Sequence, residues 1–215
     1  MKIVEPSVEM LWVTPDCESV IEGAGRTCYK SEGLITKESS ERFIKSIISR
    51  GHESVLEHTS ASFRIVTNRF TTHQIVRSRL FSYSMESQRY CNYSKDKFGN
   101  DVSFVKPLGI SDIDDVPNNE PPSNKSSWRA SCKYAEIQYF DMIKQGIKPE
   151  LARSVLPSSA KTEIVMSGNF RNWRHFLKLR MDSHAQADIR MLANLIQEEL
   201  CKQSNVIFSK EQLGV

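Results

Sequence analysis

The sequence lacks the features that mark several large classes of protein. It has no apolar run long enough to cross a membrane and no apolar segment near its start, so we expect neither a membrane span nor a secretion signal. It has no CxxC pair and no Cys/His cluster, so the cysteines predict neither a zinc site nor a disulfide framework. The GxGxxG spacing of a dinucleotide-binding fold is also absent. Five scattered cysteines are typical of a protein of the reducing cytoplasm.

Acidic residues are missing from one long stretch. No Asp or Glu occurs from His58 to Met85, although the chain contains 26 of them, and Arg64, Arg69, Arg77 and Arg79 all fall there. Guanidinium groups without neighbouring carboxylates are free to bind an anion, and the planar fork of Arg suits phosphate. The stretch therefore predicts a phosphate-bearing ligand. The alternative is a solvated basic face, or arginines that pair with acids far away in the sequence.

Length and net charge set broad bounds. A chain of 215 residues can bury a core of its own, and we expect one domain, residues 1–215. The net charge of +3 does not indicate a protein that coats nucleic acid. Local patches are therefore more informative than the sum of charges.

Alternating and helical hydrophobic patterns both occur, which predicts a mixed fold. The predicted strands cover residues 2–13, 60–66 and 162–167. The predicted helices cover residues 15–21, 36–50, 70–76, 126–145, 150–156, 169–180 and 187–201. We expect an α/β fold of the α+β kind, in which a mixed or antiparallel sheet is flanked by helices. Residues 107–127 hold four of the eight prolines and many polar side chains, which predicts a surface loop.

Two histidines and two glutamates crowd into the segment 51–58. Such a set is compatible with a metal site, but His52 and His58 are six residues apart and would lie on different faces of a helix. A polar turn that contacts a ligand is the better prediction, and no metal is expected.

Arg180 falls on the apolar stripe of the predicted helix 169–180, in register with Trp173 and Leu177. Its stem can pack while its charged head reaches water. Alternatively, the guanidinium is held half-dry and directed at a ligand. The pattern alone leaves both interpretations open.

Five motifs occur in order along the chain. They are Arg26-Thr27-Cys28-Tyr29, Gly51-His52-Glu53-Ser54-Val55-Leu56-Glu57-His58, Arg77-Ser78-Arg79 followed after seven residues by Ser87-Gln88-Arg89-Tyr90, Leu151-Ala152-Arg153-Ser154-Val155-Leu156-Pro157, and the block 169–186. The third resembles the signature of flavin-dependent thymidylate synthases, Arg-His-Arg, seven residues, Ser. The other four resemble further blocks of the same family, so the resemblance covers most of the chain.

The resemblance implies an enzyme that methylates dUMP to dTMP. It implies methylenetetrahydrofolate as the carbon donor, FAD as the cofactor and NADPH as the reductant. It also implies a homotetramer with active sites where subunits meet, and a flavin site that is not a Rossmann unit. Its partners would be small molecules, neither nucleic acid nor membrane.

The resemblance also assigns residues. The flavin contacts would be Ser54, Arg77, Ser78, Arg79, Asn169, Arg171 and His175. The dUMP contacts would be Gln74, Arg77, Glu86, Ser87, Gln88, Arg89, Arg153 and Arg180, with Arg153 from a neighbouring subunit. The catalytic candidates are Arg180, which would favour ionisation of the uracil N3 proton, and His52, near flavin and folate.

Two positions depart from the family pattern. Ser78 stands where the family has His, and Met85 stands where many members have Glu or Gln. These departures leave open a related flavin-dependent enzyme that modifies another pyrimidine nucleotide, or a homologue of low activity. Cys91 is expected to pack rather than to attack the base.

A second class of function is also open. The arginines between residues 64 and 89, together with Tyr83, Tyr90 and Tyr93, have the composition of a single-stranded nucleic-acid binding module. That function predicts affinity for long oligonucleotides that falls steeply with salt.

Overall fold

The predicted mixed α/β class is confirmed by a computed structural model, which describes residues 1–110 and 124–215, without the side chains of residues 124–127. Its residue contacts group into two compact units. The first unit comprises Met1–Pro6, Val66–His73 and Met85–Ile164. The second unit comprises Ser7–Ile65, Gln74–Ser84 and Val165–Val215.

The strands form two sheets. They are β1 (Lys2–Val4), β2 (Ser7–Val13), β3 (Ser60–Asn68), β4 (Ser82–Met85), β5 (Ser103–Val105) and β6 (Lys161–Asn169). Strands β1 and β5 pair in parallel, with Lys2 opposite Ser103. The other four strands have the order β2-β3-β6-β4.

Helices account for most of the remaining described residues. They are α1 (Cys17–Thr27), α2 (Ser39–Ser49), α3 (Arg69–Ile75), α4 (Asn124–Lys144), α5 (Pro149–Ala152), α6 (Phe170–Met181), α7 (Ala187–Gln203), α8 (Asn205–Phe208) and α9 (Lys210–Leu213). A 3-10 turn covers Glu53–His58 and another covers Arg153–Val155. No helix among the described residues is both long and apolar enough to cross a membrane.

The core of the second unit is built around Trp173 of α6. Its indole is fully buried and packs edge-on against Phe63 at 5.0 Å and Phe81 at 4.7 Å between ring centroids. The indole N–H donates to Ala61 O at 3.1 Å, so the polar end of the ring is also satisfied. Trp173 therefore fixes α6 against β3.

The core of the first unit is a separate cluster around Tyr93, Phe104 and Tyr139, which are all buried. The Tyr139 hydroxyl accepts from Tyr93 N at 3.3 Å, and the two rings lie 5.8 Å apart. These contacts tie the segment after β4 to helix α4.

Most long elements lie where the sequence predicts them, and the differences have physical causes. The predicted N-terminal strand is two strands, β1 and β2. The predicted helix 15–21 begins at Cys17 and continues to Thr27. The added turn contains Gly25, which lies against Phe43, so that a Cβ there would meet its ring at 2.5 Å. Strands β4 and β5 and helices α8 and α9 were not predicted. Of the predicted loop 107–127, residues 111–123 lie outside the described residues and 124–127 belong to α4.

Candidate functional site

The turn between α3 and β4, which we call the arginine turn, carries the predicted flavin contacts Arg77, Ser78 and Arg79. Its backbone is held by Tyr83, whose hydroxyl lies 2.7 Å from Ser78 O and 2.9 Å from Ile75 O and donates to them. Burial raises the pKa of Tyr83 to about 12, and the nearby Arg180 opposes that rise. The phenol is therefore a protonated donor at neutral pH, and the turn has a fixed shape.

Phe81 anchors the same turn to the start of α6. Its ring packs on Trp173, and it lies so close to Gly168 that a Cβ there would be 2.4 Å from the ring. The side-chain amide of Asn172 donates to Leu80 O at 2.9 Å. Helix α6 and the arginine turn are therefore positioned together within the second unit.

Arg77 and Arg79 are exposed and, within the described ranges, neither forms an ion pair with a carboxylate. Arg64, from the same acid-free stretch, does pair with a distant acid, Glu9 at 3.0 Å. The alternative of distant pairing is thus correct for Arg64. For Arg77 and Arg79, the described structure leaves the guanidinium groups available to an anion.

A cavity of about 740 Å³ opens beside the first two turns of α6. It is lined by Glu53, Glu57, Leu80, Asn169, Arg171, Asn172, Arg174, His175 and Lys178. Three predicted flavin contacts, Asn169, Arg171 and His175, thus share one cavity. The Asn169 side chain also caps the helix, accepting from Asn172 N at 2.9 Å, as an N-cap Asn commonly does.

Two ion pairs in this cavity differ in burial. Arg174 is 1 % exposed and binds Glu53 at 3.1 Å and Gln212 O at 3.1 Å, as well as Ile207 O. Arg171 pairs with Glu57 at 2.6 Å, but both side chains are about half exposed. Because exposed pairs are weak, Arg171 can exchange Glu57 for an anionic ligand, whereas Arg174 is a fixed part of the wall.

Arg180 and Gln74, both predicted nucleotide contacts, meet in the second unit. One terminal nitrogen of Arg180 donates to Gln74 O at 2.9 Å. Its Nε is buried and has no hydrogen-bond partner among the described residues. A buried donor without a partner is costly, so this side chain fits an acceptor supplied by a ligand.

Four predicted nucleotide contacts follow β4 in the first unit. Glu86 is half-buried, and its carboxylate accepts from Tyr93 and Lys161 at 2.9 and 3.0 Å. Ser87 Oγ accepts from Arg89 N at 3.3 Å. The Nε2 of buried Gln88 has no hydrogen-bond partner within the described part of the chain.

The remaining predicted residues are less constrained. Arg153, in the first unit, donates through Nε to Glu150 O at 3.2 Å. His52 and Ser54, in the second unit, are exposed at the start of the 3-10 turn. Burial raises the pKa of the Cys91 thiol, which keeps it protonated and makes it a poor nucleophile.

Sequence reasoning missed Glu53, Glu57 and Lys178 as lining residues of the cavity. Both glutamates lie in the His-rich motif 51–58, and Lys178 lies seven residues after Arg171, on the same face of α6. Those spacings were the available signals. No group of three or more His, Cys, Asp or Glu side chains in residues 1–110 and 124–215 is arranged to hold a metal ion.

Comparison with known proteins identifies the family. A family model described as thymidylate synthase complementing protein matches residues 9–204. The flavin-dependent thymidylate synthase of Mycobacterium avium (strain 104) is 33% identical over 206 residues, covering 91% of this chain and 80% of that protein. The enzyme of the same name from Mycolicibacterium gilvum (strain PYR-GCK) is 34% identical over 214 residues, covering 95% of this chain and 83% of that protein.

A solved structure shares the fold. The crystal structure of a UMP/dUMP methylase, PolB, from Streptomyces cacaoi bound with 5-Br dUMP aligns with a TM-score of 0.78 at 23% identity, covering 97% of this chain and 95% of that chain. The family model matches residues 9–204, and the five motifs, which span residues 26–186, lie within that region. The chain belongs to the flavin-dependent thymidylate synthase family of methyltransferases.

Proposed function

We propose that this protein catalyses the reductive methylation of dUMP to dTMP, with methylenetetrahydrofolate as carbon donor and NADPH as reductant of bound FAD. The observation that carries the proposal is the fixed turn bearing Arg77 and Arg79, whose guanidinium groups have no carboxylate partner among the described residues. Family membership and the nucleotide bound to the PolB methylase support it.

The second unit has residues that fit FAD. Its cavity of about 740 Å³ is within the size range of cofactor sites, and Asn169, Arg171 and His175 line it. Ser54, Arg77, Ser78 and Arg79 would supply further donors, and Arg guanidiniums suit the diphosphate. When bound, FAD supplies the hydride. The protein would hold and orient it, and Arg171 would exchange Glu57 for the cofactor.

The nucleotide contacts follow the family assignment. Gln74 and Arg180 would each contact dUMP, and the same assignment covers Glu86, Ser87, Gln88 and Arg89. The uracil C5 atom is a weak nucleophile, and a guanidinium beside N3 stabilises the anionic ring, which raises electron density at C5. Arg180 suits this role because a guanidinium group is a permanent cation in proteins. His52 would lie near flavin and folate.

A neighbouring subunit would complete each site. Arg153 would come from the partner in a homotetramer, and its guanidinium has no carboxylate partner within the described ranges. We place the protein in the reducing cytoplasm, where its five free cysteines would stay thiols.

The test is direct. We expect the purified protein to be yellow with bound FAD, and to form dTMP when mixed with dUMP, methylenetetrahydrofolate and NADPH. A colourless protein that binds no added FAD and forms no dTMP would overturn the proposal. Parallel reactions with UMP separate the proposal from the alternative of a related enzyme acting on another pyrimidine nucleotide, to which the departure at Ser78 points.

A further inference from the structure

A charged network in the first unit lies beside the predicted nucleotide contacts. One carboxylate oxygen of Glu86 accepts from the Tyr93 hydroxyl at 2.9 Å, and the other accepts from Lys161 Nζ at 3.0 Å. Lys161 also binds Glu163. The side chains of Lys161 and Glu86 are only 20 % and 15 % exposed, whereas that of Glu163 is 45 % exposed, so the Lys161–Glu86 pair is the part of the network that is largely shielded from water.

The backbone of residues 86–91 is held next to this network by hydrogen bonds to β6 and within the segment itself. Glu86 N donates to Glu163 O of β6 at 2.8 Å. Tyr90 N and Cys91 N donate to Ser87 O at 3.1 and 2.9 Å. The result is a tight turn that carries Ser87, Gln88 and Arg89. Both its backbone and the side chain at its first residue are fixed to β6.

Such a network is better suited to fixing geometry than to adding stability. The free energy needed to remove a lysine and a glutamate from water is about as large as the free energy gained from their attraction. A protein with apolar side chains in the same place would often be no less stable. Burial acts against the charged form of Lys161, yet its bonds to Glu163 and Glu86 raise its pKa overall. Lys161 therefore stays protonated at neutral pH.

We propose that Lys161 and Tyr93 are positioning residues for the nucleotide. By holding both oxygens of Glu86, they fix the turn that presents Ser87, Gln88 and Arg89. This inference depends on the proposed function for its ligand, dUMP. It assigns neither residue a direct contact with dUMP.

The experiment compares Lys161→Met with Lys161→Arg and with a control, Lys133→Met. Lys133 belongs to another Lys–Glu pair of the same unit, with Glu136 at 2.8 Å, and has no proposed ligand. We expect Lys161→Met to raise the Kd and KM for dUMP about tenfold, because the turn must then be ordered on binding. The kcat at saturating dUMP and the affinity for FAD should change less than about twofold, with Lys161→Arg close to the parental protein.

Hydrogen exchange supplies a readout that needs no ligand. We expect the amides of residues 86–91 to exchange faster in Lys161→Met and to be unchanged in Lys133→Met. If Lys161→Met does not fold, Tyr93→Phe is the substitute, since it keeps the ring and loses the hydroxyl that donates to Glu86. We expect a smaller rise in Kd from it, about threefold.

The outcomes separate this inference from the proposed function. If the parental protein binds dUMP, and Lys161→Met or its substitute binds it equally tightly, the positioning role is wrong and the proposed function stands. A fall in kcat without a change in KM would also overturn the positioning role. If the parental protein binds no dUMP, both proposals fall.

Discussion

At the residue scale, Arg180 carries the proposed chemistry most directly. One of its nitrogens is held by Gln74 O, while its buried Nε has no partner in the described part of the chain. A lysine keeps the charge but cannot bind the backbone and a ligand through a planar fork. We expect Arg180→Lys and Arg180→Ala to lose about 10²–10³-fold in kcat, with FAD binding unchanged. Rates of dTMP formation and FAD titrations measure this, and an Arg180→Lys enzyme at the parental rate would contradict it.

Tyr83 gives the arginine turn a measurable pH signature. Its pKa is raised to about 12 in the folded protein by burial, against about 10 in an unfolded chain. Between those values the folded state keeps a proton that the unfolded state loses. Its contribution to stability is therefore complete below about pH 10 and is lost as the pH rises to about 12.

We therefore expect Tyr83→Phe to be less stable at neutral pH by about 1 kcal/mol, the value of a lost hydrogen bond. We also expect the variant to lose less stability than the parental protein as the pH rises above about 10. Urea unfolding at neutral and alkaline pH measures both effects. Tyr93 is also buried, but it is present in both proteins, so its effect on the pH dependence of stability is the same in both. Equal alkaline slopes would show that the Tyr83 phenol is not held as described.

At the element scale, the sequence predicted helices and strands well where burial of one face requires apolar residues at regular spacing. Strand β3 and helices α2, α6 and α7 have apolar residues at regular spacing, and they lie close to their predicted positions. Strand β4 has no such pattern in Ser-Tyr-Ser-Met. It is a strand because its backbone pairs with β6, which no local signal reveals. The extension of α1 contains Gly25, which lies against the distant Phe43, and no local signal reveals that contact either.

The junction of β6 and α6 depends on one glycine. A Cβ at Gly168 would lie 2.4 Å from the Phe81 ring, so Gly168→Ala must displace Phe81 and the arginine turn attached to it. We expect a loss of about 1–3 kcal/mol in the free energy of unfolding, together with weaker FAD binding. Urea unfolding and FAD titration measure the two effects.

Gly23→Ala is the matched control for that substitution. Gly23 is inside helix α1, and apart from its chain neighbours and the backbone of that helix, no atom of the described residues lies within 4 Å of a Cβ at this position. We expect this variant to be as stable as the parental protein or more stable by about 0.5–1 kcal/mol, with FAD binding unchanged. Equal stability of Gly168→Ala and Gly23→Ala would show that Phe81 is not held against β6.

At the scale of the whole molecule, the sequence gives the number of charged residues but not which acidic side chain pairs with which basic one. The acid-free stretch drew attention to Arg77 and Arg79, which have no carboxylate partner among the described residues. The cavity acids Glu53 and Glu57 bind Arg174 and Arg171, partners more than 100 residues away in the chain. Only the folded chain brings such partners together. The charge pattern alone could therefore not separate the arginine fixed in the wall, Arg174, from the exposed Arg171, and only the family resemblance had named Arg171 as a ligand contact.

The proposed homotetramer can be tested by mixing two inactive variants, because activity can return only if each site takes residues from two subunits. If Arg153 acts in the site of a neighbouring subunit and Arg180 in its own, Arg153→Ala and Arg180→Ala should each be nearly inactive alone. In hybrids refolded from an equal mixture, about a quarter of the sites contain both arginines, so about a quarter of the parental activity should return. Mixing Arg180→Ala with the double variant Arg153→Ala/Arg180→Ala is the control, because no site in it contains Arg180. If the first mixture is as inactive as the control, the two arginines act within one chain, and Arg153 has no role in a neighbour's site.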